Sequence, residues 1–266
     1  MEFTIKELWV YPIKSCKGMQ VSSLSLDEKG FKYDRRFMLT DENYQFLTQR
    51  DHHSMALIAP VLTAEYLKIN APGMRELILP LSFDETNIVN VKIWKDDTFA
   101  AKVGDAADLW FSEYFGFKTH LLYMPDKAER IVDPRYAKTR ATTTFTDDYP
   151  ILLISQSSLD DLNARLEQPL PMNRFRPNIV VSGTSAFAED GWSKIKIGEI
   201  EFDVVKPSAR CVMITIEQET GTGGAKEPLK TLSTYRSKDN KILFGQYLIH
   251  LRQDNVSIGD RLEVIS

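Results

Sequence analysis

The sequence predicts a mixed but mainly β fold, rich in barrel-like sheets and with a few short helices. Most apolar residues of the 266-residue chain fall in short runs bounded by Gly, Pro, Asn or Asp, which is the pattern of strands. Few segments repeat apolar residues at the period of about 3.6 that marks a helix. Many short strands joined by turns are typical of β-barrels.

Most segments of the first part carry the strand pattern, and one carries the helix pattern. The predicted strands cover residues 3–13, 21–26, 36–40, 44–48, 61–69, 76–81, 88–94, 98–103 and 118–123, with a hairpin loop at 41–43. The predicted helix is Asp105–Phe115, in which Ala107, Trp110 and Phe111 recur at helical spacing. Gly116 is a stop signal after it.

The stretch 125–150 is rich in Asp, Arg and Thr and lacks apolar periodicity. It predicts a long surface connection, which in a compact domain is more often functional than idle. Strands are then predicted at 151–155, 178–181, 194–197, 201–206, 212–217, 241–251 and 261–265, and helices at 157–166 and 228–235. We place a boundary near residue 125, which divides the chain into 1–124 and 125–266.

Charge and cysteine content exclude several classes of protein. The net charge of -4 and the pI of about 5.7 argue against affinity for nucleic acid or for an anionic membrane. Two cysteines, Cys16 and Cys211, do not support a disulfide framework and favour a reducing compartment. The sequence shows no signal peptide and no apolar run of the roughly 20 residues that span a bilayer. We therefore expect a cytoplasmic protein, and a monomer.

Cys211 is the first residue that could carry chemistry. It follows Arg210 directly and Lys206 by five positions, and neighbouring cations favour the thiolate form that binds metals. The local sequence fits a buried structural cysteine equally well.

Several basic residues could bind an anion if the fold brings them together. Lys14 and Ser15 lie in a turn after a strand, Arg35 and Arg36 lie at a strand start, and Arg174 and Arg176 precede Pro177. Taken singly, each is most simply an exposed turn or a solvated charge. If Lys14, Arg36, Arg176 and Arg210 converge, they form a phosphate pocket, for which arginine is well suited.

Other patterns favour simpler interpretations. The adjacent His52 and His53 do not make a zinc site by themselves. The segment 221–224 predicts a hairpin loop rather than a phosphate loop. The pairs Asp147-Asp148 and Asp160-Asp161, judged alone, are surface charges.

Seven short motifs together make the sequence recognisable, although each is weak alone. The chain resembles the MOSC domain family, and within it the bacterial relatives of the mitochondrial amidoxime-reducing component. The matching motifs follow the order of the family and extend from about residue 3 to 265: Tyr11-Pro12-Ile13-Lys14-Ser15, Asp34-Arg35-Arg36-Phe37, Asp148-Tyr149-Pro150, Phe175-Arg176-Pro177-Asn178, Lys206-Pro207-Ser208-Ala209-Arg210-Cys211, Glu227-Pro228-Leu229-Lys230-Thr231-Leu232 and Phe244-Gly245-Gln246-Tyr247.

The resemblance implies a fold, a cofactor and a set of site residues. It implies an N-terminal MOSC β-barrel subdomain over 1–124, a MOSC domain over 125–266, and a molybdenum cofactor (Mo-molybdopterin) between them. Cys211 matches the cysteine that binds molybdenum. The positions that match cofactor-binding residues are Lys14, Ser15, Arg36, Asp148, Tyr149, Pro150, Arg176, Ala209, Arg210 and Tyr247. Ala209 departs from the pattern, because relatives often have serine there.

The resemblance also implies an activity, the reduction of N-hydroxylated compounds such as amidoximes and hydroxylamines. The iron–sulfur domain of some relatives, with its four cysteines, and the anchor region of the mitochondrial members have no counterpart in this sequence. Electrons are therefore expected from a separate protein, a ferredoxin, a flavodoxin or a similar donor. Two alternatives stay open: a non-catalytic carrier of the cofactor or of sulfur on Cys211, and a hydrolase with Cys211 as nucleophile.

Overall fold

A computed structural model describes residues 2–82, 84–137 and 139–266. Its strands are β1 (Phe3–Val10), β2 (Met19–Val21), β3 (Ser23–Asp27), β4 (Gly30–Phe31), β5 (Phe37–Asp41), β6 (Ala59–Leu62), β7 (Tyr66–Asn70), β8 (Leu77–Pro80), β9 (Ile88–Ile93), β10 (Asp96–Lys102), β11 (Thr119–Tyr123), β12 (Ile151–Ser155), β13 (Ile179–Ser182), β14 (Lys194–Ile197), β15 (Ile200–Arg210), β16 (Ser237–Lys238), β17 (Lys241–His250), β18 (Asn255–Ser257) and β19 (Arg261–Val264). Its α-helices are α1 (Asp105–Phe115), α2 (Gln156–Asn163) and α3 (Leu229–Ser233). The mainly β fold class is therefore confirmed.

The largest sheet closes into a seven-stranded barrel. The strand order is β12-β13-β1-β19-β14-β15-β17, and β12 also pairs with β17, which closes the ring. The β12–β13 pairing is parallel, and the closing β12–β17 pairing is antiparallel. Because closure removes free sheet edges along the ring, every barrel strand has a partner on both sides.

Alternating apolar side chains fill the barrel. Ile5 and Leu8 on β1, Ile179 on β13, Phe202 on β15 and Leu248 on β17 are all at most 1% exposed. Each such burial stabilises the fold by roughly 1.5–3 kcal/mol. The first strand of the chain thus contributes to a barrel formed mostly by later strands, while the domain boundary near residue 125 stays a prediction.

A second group of sheets forms the rest of the N-terminal part. Strands β5, β11, β10 and β9 make one sheet, and β6, β7 and β8 make another. Helix α1 contacts β11 and β8 and buries Trp110 and Phe111 against this second core. The helix ends at Gly116, which adopts a left-handed conformation and donates its N–H to the Ser112 carbonyl, as the sequence predicts.

Several predicted elements differ from the structure. The predicted strand 212–217 is wrong, because Val212–Thr215 forms a 3₁₀-helix in which Thr215 Oγ1 donates to the Val212 carbonyl. The predicted strand 61–69 is two strands separated by a turn at Thr63. Residues 44–48 hold only a single bridge, from Phe46 to Thr40. In the predicted connection 125–150, residue 138 lies outside the described residues.

Helices long and apolar enough to cross a membrane do not occur in the described parts of the chain.

We predict that Gly245 is required for the closing strand pair. It lies within β17 at φ 81°, and a Cβ there would lie 2.6 Å from Ile154 Cγ1 and 2.8 Å from the Leu153 carbonyl oxygen. Gly245→Ala should lower the free energy of unfolding by about 3 kcal/mol, through left-handed strain and a backbone clash. Urea denaturation followed by tryptophan fluorescence measures this change.

Gly73 provides the matched control. Its φ is 78°, and no described heavy atom lies within 4 Å of a Cβ built there. Gly73→Ala should lower the free energy of unfolding by only about 1 kcal/mol, because the strain remains and the clash is absent. Equal losses in the two variants would contradict the assignment of a steric role to Gly245.

Candidate functional site

A pocket of about 270 Å³ lies where the barrel meets the N-terminal part. It is lined by ten of the eleven residues that the sequence singles out: Lys14, Ser15, Asp148, Tyr149, Pro150, Arg176, Ala209, Arg210, Cys211 and Tyr247. These residues come from five separate stretches of the chain, and the fold brings them together.

Cys211 lies at the end of the long strand β15. The pairing of β15 with β17 shifts register between Pro207 and Ala209, and the strand ends at Arg210. Cys211 directly precedes the 3₁₀-helix Val212–Thr215, and it is exposed. Cys16 is also a free thiol, but it is buried, and burial raises its pKa. Of the two sulfurs, Cys211 is therefore the one available to a ligand.

Two guanidinium groups lie over the ring of Tyr11. The distances from Cζ to the ring centroid are 4.3 Å for Arg176 and 4.1 Å for Arg35. Arg176 is 9% exposed, and both of its terminal nitrogens are buried without a hydrogen-bond partner among the described residues. Burial, together with the charge of Arg35, lowers the pKa of Arg176 to about 10. An unpaired buried cation is costly, so this group fits an anionic ligand that would pair with it.

Arg36 is not brought to this pocket, in contrast to the expected convergence. Its side chain reaches Asp126 and the Tyr123 hydroxyl, at 3.2 Å, and lines a different cavity of about 680 Å³. Arg35 lines the Cys211 pocket instead. Both residues precede β5, and the left-handed backbone of Arg35, at φ 49° in the preceding turn, directs the two adjacent side chains to different cavities.

Arg210 and Arg174 have protein partners that Arg176 lacks. Arg210 donates to the Phe244 carbonyl through Nε at 2.8 Å and through Nη2 at 2.5 Å, and to the Phe175 carbonyl through Nη1 at 2.9 Å. Arg174 reaches Glu217 at 2.5 Å. Arg210 therefore holds the pocket wall together, and its Cζ lies 5.7 Å from the ring centroid of Phe175.

Lys14 and Ser15 form the turn at one side of the pocket. Lys14 is 4% exposed, and its Nζ donates to the Phe145 carbonyl at 2.9 Å and to Asp147. Burial lowers the pKa of Lys14 to about 8, although Asp147 opposes the shift. Ser15 has a left-handed backbone, and its carbonyl accepts a hydrogen bond from Gln49 at 2.7 Å.

The end of the long connection, together with β15 and β17, contributes aromatic and charged groups. Tyr149 and Tyr247 have ring centroids 5.7 Å apart. Lys206 lies over both rings, and its Nζ is 2.5 Å from Asp148 Oδ2. This side of the pocket is therefore a polar, partly aromatic wall of the kind that fits a heterocycle.

The residues that sequence reasoning missed are Arg50, Trp94 and Asp147. Arg50 Nη2 lies 3.0 Å from Asp147 Oδ2 and 3.4 Å from Cys211 Sγ. Trp94 Nε1 lies 3.2 Å from Asp147 Oδ1. Asp147 is exposed, as the sequence predicts, but it is not an isolated charge: Lys14 and Arg50 pair with it and hold its pKa below the usual range. No sequence motif marks Arg50 or Trp94.

The charges of the pocket fit a compact anionic ligand. Its lining includes six cations, which are Lys14, Arg35, Arg50, Arg174, Arg176 and Arg210, and two acids, which are Asp147 and Asp148. In the ranges that the structure describes, no group of three or more His, Cys, Asp or Glu side chains could hold a metal ion. A metal bound by Cys211 would therefore need further ligands that come with it.

Comparisons with known proteins point to one family. The model described as "MOSC N-terminal beta barrel domain" matches residues 2–118, and the model described as "MOSC domain" matches residues 140–263. Mitochondrial amidoxime reducing component 2 of Rattus norvegicus is 33% identical, over 97% of this chain and 82% of its own length. Mitochondrial amidoxime-reducing component 1 of Homo sapiens is 30% identical, over 97% of this chain and 81% of its own length. The solved structure of the YUAD protein from Bacillus subtilis aligns over 98% of this chain and 94% of its own, with 10% identity and a TM-score of 0.44.

We predict opposite stability effects for two arginines of the pocket in the ligand-free protein. Arg176→Met should raise the free energy of unfolding by about 1 kcal/mol, because it removes a buried charge whose terminal nitrogens have no partner. Arg210→Met should lower it by about 2–3 kcal/mol, because two carbonyl groups lose their donors. Equilibrium denaturation measures both, and a similar loss of stability in the two variants would contradict this account of Arg176.

Proposed function

The chain belongs to the MOSC domain family together with the mitochondrial amidoxime-reducing components, and from that premise we propose that it is a molybdenum-cofactor-dependent reductase of N-hydroxylated compounds. The observation that carries the proposal is that one pocket holds both the exposed Cys211 thiol and the Arg176 guanidinium. The two terminal nitrogens of that guanidinium have no hydrogen-bond partner among the described residues. A thiolate suits a soft metal, and the guanidinium suits a phosphate.

Different residues of the pocket would bind different parts of the cofactor. Arg176 and Arg35, with Lys14 and Ser15, would hold the phosphate of the cofactor. The segment 148–150 and Tyr247 would contact the pterin, and Cys211 would bind the metal. Ala209 offers only its backbone for hydrogen bonding. When bound, the cofactor supplies two-electron oxygen-atom transfer, while the protein orients it and tunes its surroundings.

The proposed reaction balances as the reductive cleavage of an N–O bond. An N-hydroxylated amine or amidine takes up two electrons and two protons, the N–O bond breaks, and the products are the amine or amidine and water. The two cysteines of the chain are too few for a four-cysteine iron–sulfur cluster. We propose that a ferredoxin, a flavodoxin or a similar protein supplies the electrons.

A carrier of the cofactor or of sulfur is the second candidate. The exposure of the Cys211 thiol favours it, because a carrier must present its sulfur to a partner. It differs from the reductase in that it would bind the cofactor or a sulfur atom without turning over an N-hydroxylated substrate.

We predict that the protein, produced in a host that makes the cofactor, holds about one molybdenum per chain and reduces N-hydroxylated compounds with a chemically reduced dye. Cys211→Ser should lower the rate by about 10²-fold or more, because the sulfur that binds the metal is lost. Metal analysis and product quantification on the same samples measure both quantities.

Cys16→Ser is the matched control, since Cys16 is buried outside the lining of the pocket. It should keep molybdenum content and rate. Bound molybdenum without turnover on amidoximes, hydroxylamines and N-hydroxylated bases would favour the carrier, and activity without molybdenum would rule out the reductase.

We predict that Arg176→Ala lowers cofactor occupancy more than it lowers fold stability. The side chain has no protein acceptors for its terminal nitrogens, so its loss removes ligand contacts and leaves the protein hydrogen bonds intact. Occupancy should fall about tenfold, as for the loss of a charged hydrogen bond. Full molybdenum content in this variant would show that the role assigned to Arg176 is wrong.

A further inference from the structure

Arg50 joins the acidic group of the pocket to the sulfur of Cys211. We propose that Arg50 is a positioning residue that fixes the direction of the Cys211 sulfur, an inference that rests on the proposed function. Its Nη2 lies 3.4 Å from Cys211 Sγ and 3.0 Å from Asp147 Oδ2. One nitrogen with two hydrogens can serve both acceptors.

Arg50 is itself held from several sides. Its guanidinium lies over the Trp94 ring, with Cζ 5.0 Å from the ring centroid. The Trp94 ring is in turn packed edge-on against Phe46, with the centroids 5.1 Å apart. Although Trp94 is 48% exposed, its contacts with Arg50 and Phe46 and its Nε1 hydrogen bond to Asp147 restrict its motion. A planar cation stacked on such a ring is a rigid donor.

Asp147 completes the support of Arg50. Its Oδ1 accepts from Lys14 and from Trp94, and its Oδ2 accepts from Arg50. Both oxygens are thus used by protein groups. Asp147 therefore serves to orient Arg50 and Lys14, and its carboxylate has a structural role in the pocket.

Cys211 needs such an orienting partner because of its place in the chain. It lies in the first position after β15, where strand pairing ends, and its side chain is exposed. An exposed cysteine side chain can rotate among three staggered conformations. The charged contact with Arg50 selects one of them before any ligand arrives, which is how a preorganised site avoids an ordering penalty during binding and reaction.

A further nitrogen of Arg50 has no partner. Its Nη1 is buried, and no described residue accepts a hydrogen bond from it. Because Arg50 lines the pocket, an oxygen of a bound cofactor or of an N-hydroxyl group would supply the acceptor that this nitrogen lacks. Lysine offers a single nitrogen and cannot hold Asp147, Cys211 and such an oxygen in one plane.

The test uses Arg50→Gln and Arg50→Lys in the cofactor-loaded protein. Arg176, Arg35 and Lys14 remain to hold the cofactor, so molybdenum content should stay above about half of the wild-type value. For Arg50→Gln, kcat should fall about tenfold or more, while KM changes less than about threefold. The Mo(V) electron paramagnetic resonance spectrum should change, because its anisotropy depends on the orientation of the sulfur ligand. Arg50→Lys should recover little of kcat.

A second measurement applies to the protein without cofactor. Iodoacetamide should alkylate Cys211 at a rate that differs about threefold or more in Arg50→Gln, because the contact that fixes the orientation of the sulfur is lost. The buried Cys16 does not compete in the folded protein. If the variant fails to retain molybdenum, the alkylation rate alone tests whether Arg50 orients the sulfur of Cys211.

The matched control is Arg165→Lys, which alters an exposed arginine that pairs with Asp161 and does not line the pocket. It should leave the molybdenum content, kcat, KM, the Mo(V) spectrum and the alkylation rate of Cys211 unchanged. An Arg50→Gln variant with wild-type kcat and spectrum, or with unchanged alkylation when it holds no metal, would overturn the inference. A wild-type protein that binds no molybdenum would overturn the proposed function instead, and the alkylation result would still test the Arg50–Cys211 contact.

Discussion

The pairing of β12 with β17 is the constraint on which the site depends. It closes the barrel, and its register sets Leu152 opposite Tyr247. The segment 148–150 immediately precedes β12, and β15, which ends at Arg210, is the other neighbour of β17. Closure therefore brings the polar segment, the tyrosine and the cysteine that follows β15 onto or beside neighbouring strands, and all of them line the pocket. A pocket assembled in this way can form only after strands distant in sequence have paired.

The pocket stands out because its charge is opposite to that of the chain. The whole protein carries a net charge of -4, yet six cations and two acids line this one cavity. Buried like charges destabilise a folded protein, and Arg176 is the clearest case, because it lies beside Arg35 while the carboxylate of Asp34 is bound by Arg35. A binding site is expected to lower the stability of the ligand-free protein in this way. A ligand that supplies the missing partners then raises the free energy of unfolding again. Arg210 lies in the same wall but is satisfied by carbonyl groups, so charge alone does not mark a ligand contact.

Sequence reasoning reached the fold class, the bounds of α1 and most barrel strands, because these depend on local periodicity and on a glycine stop signal. It failed at residues 212–217, where an apolar stretch follows β15 but no neighbouring strand remains to pair with it. It also chose Arg36 where the structure brings in Arg35, because the face of a side chain at the start of a strand depends on backbone dihedrals that the sequence does not show. The ion pairs of Asp147 were missed for a related reason: its partners Lys14 and Arg50 are far from it in sequence.

Three contacts in series connect Lys14 to Cys211: Lys14 with Asp147, Asp147 with Arg50, and Arg50 with the sulfur of Cys211. Lys14 lies in the turn assigned to the cofactor phosphate, and it binds the same carboxylate that orients Arg50. A ligand that draws Lys14 toward an anion therefore competes with Asp147 for that lysine, and the carboxylate then depends more strongly on Arg50. Because Arg50 also contacts the sulfur of Cys211, occupation of the anionic subsite and the position of the sulfur are coupled through two charged hydrogen bonds. The two proposed roles of the pocket, holding an anion and presenting the sulfur of Cys211, are thus carried by one network of charged contacts.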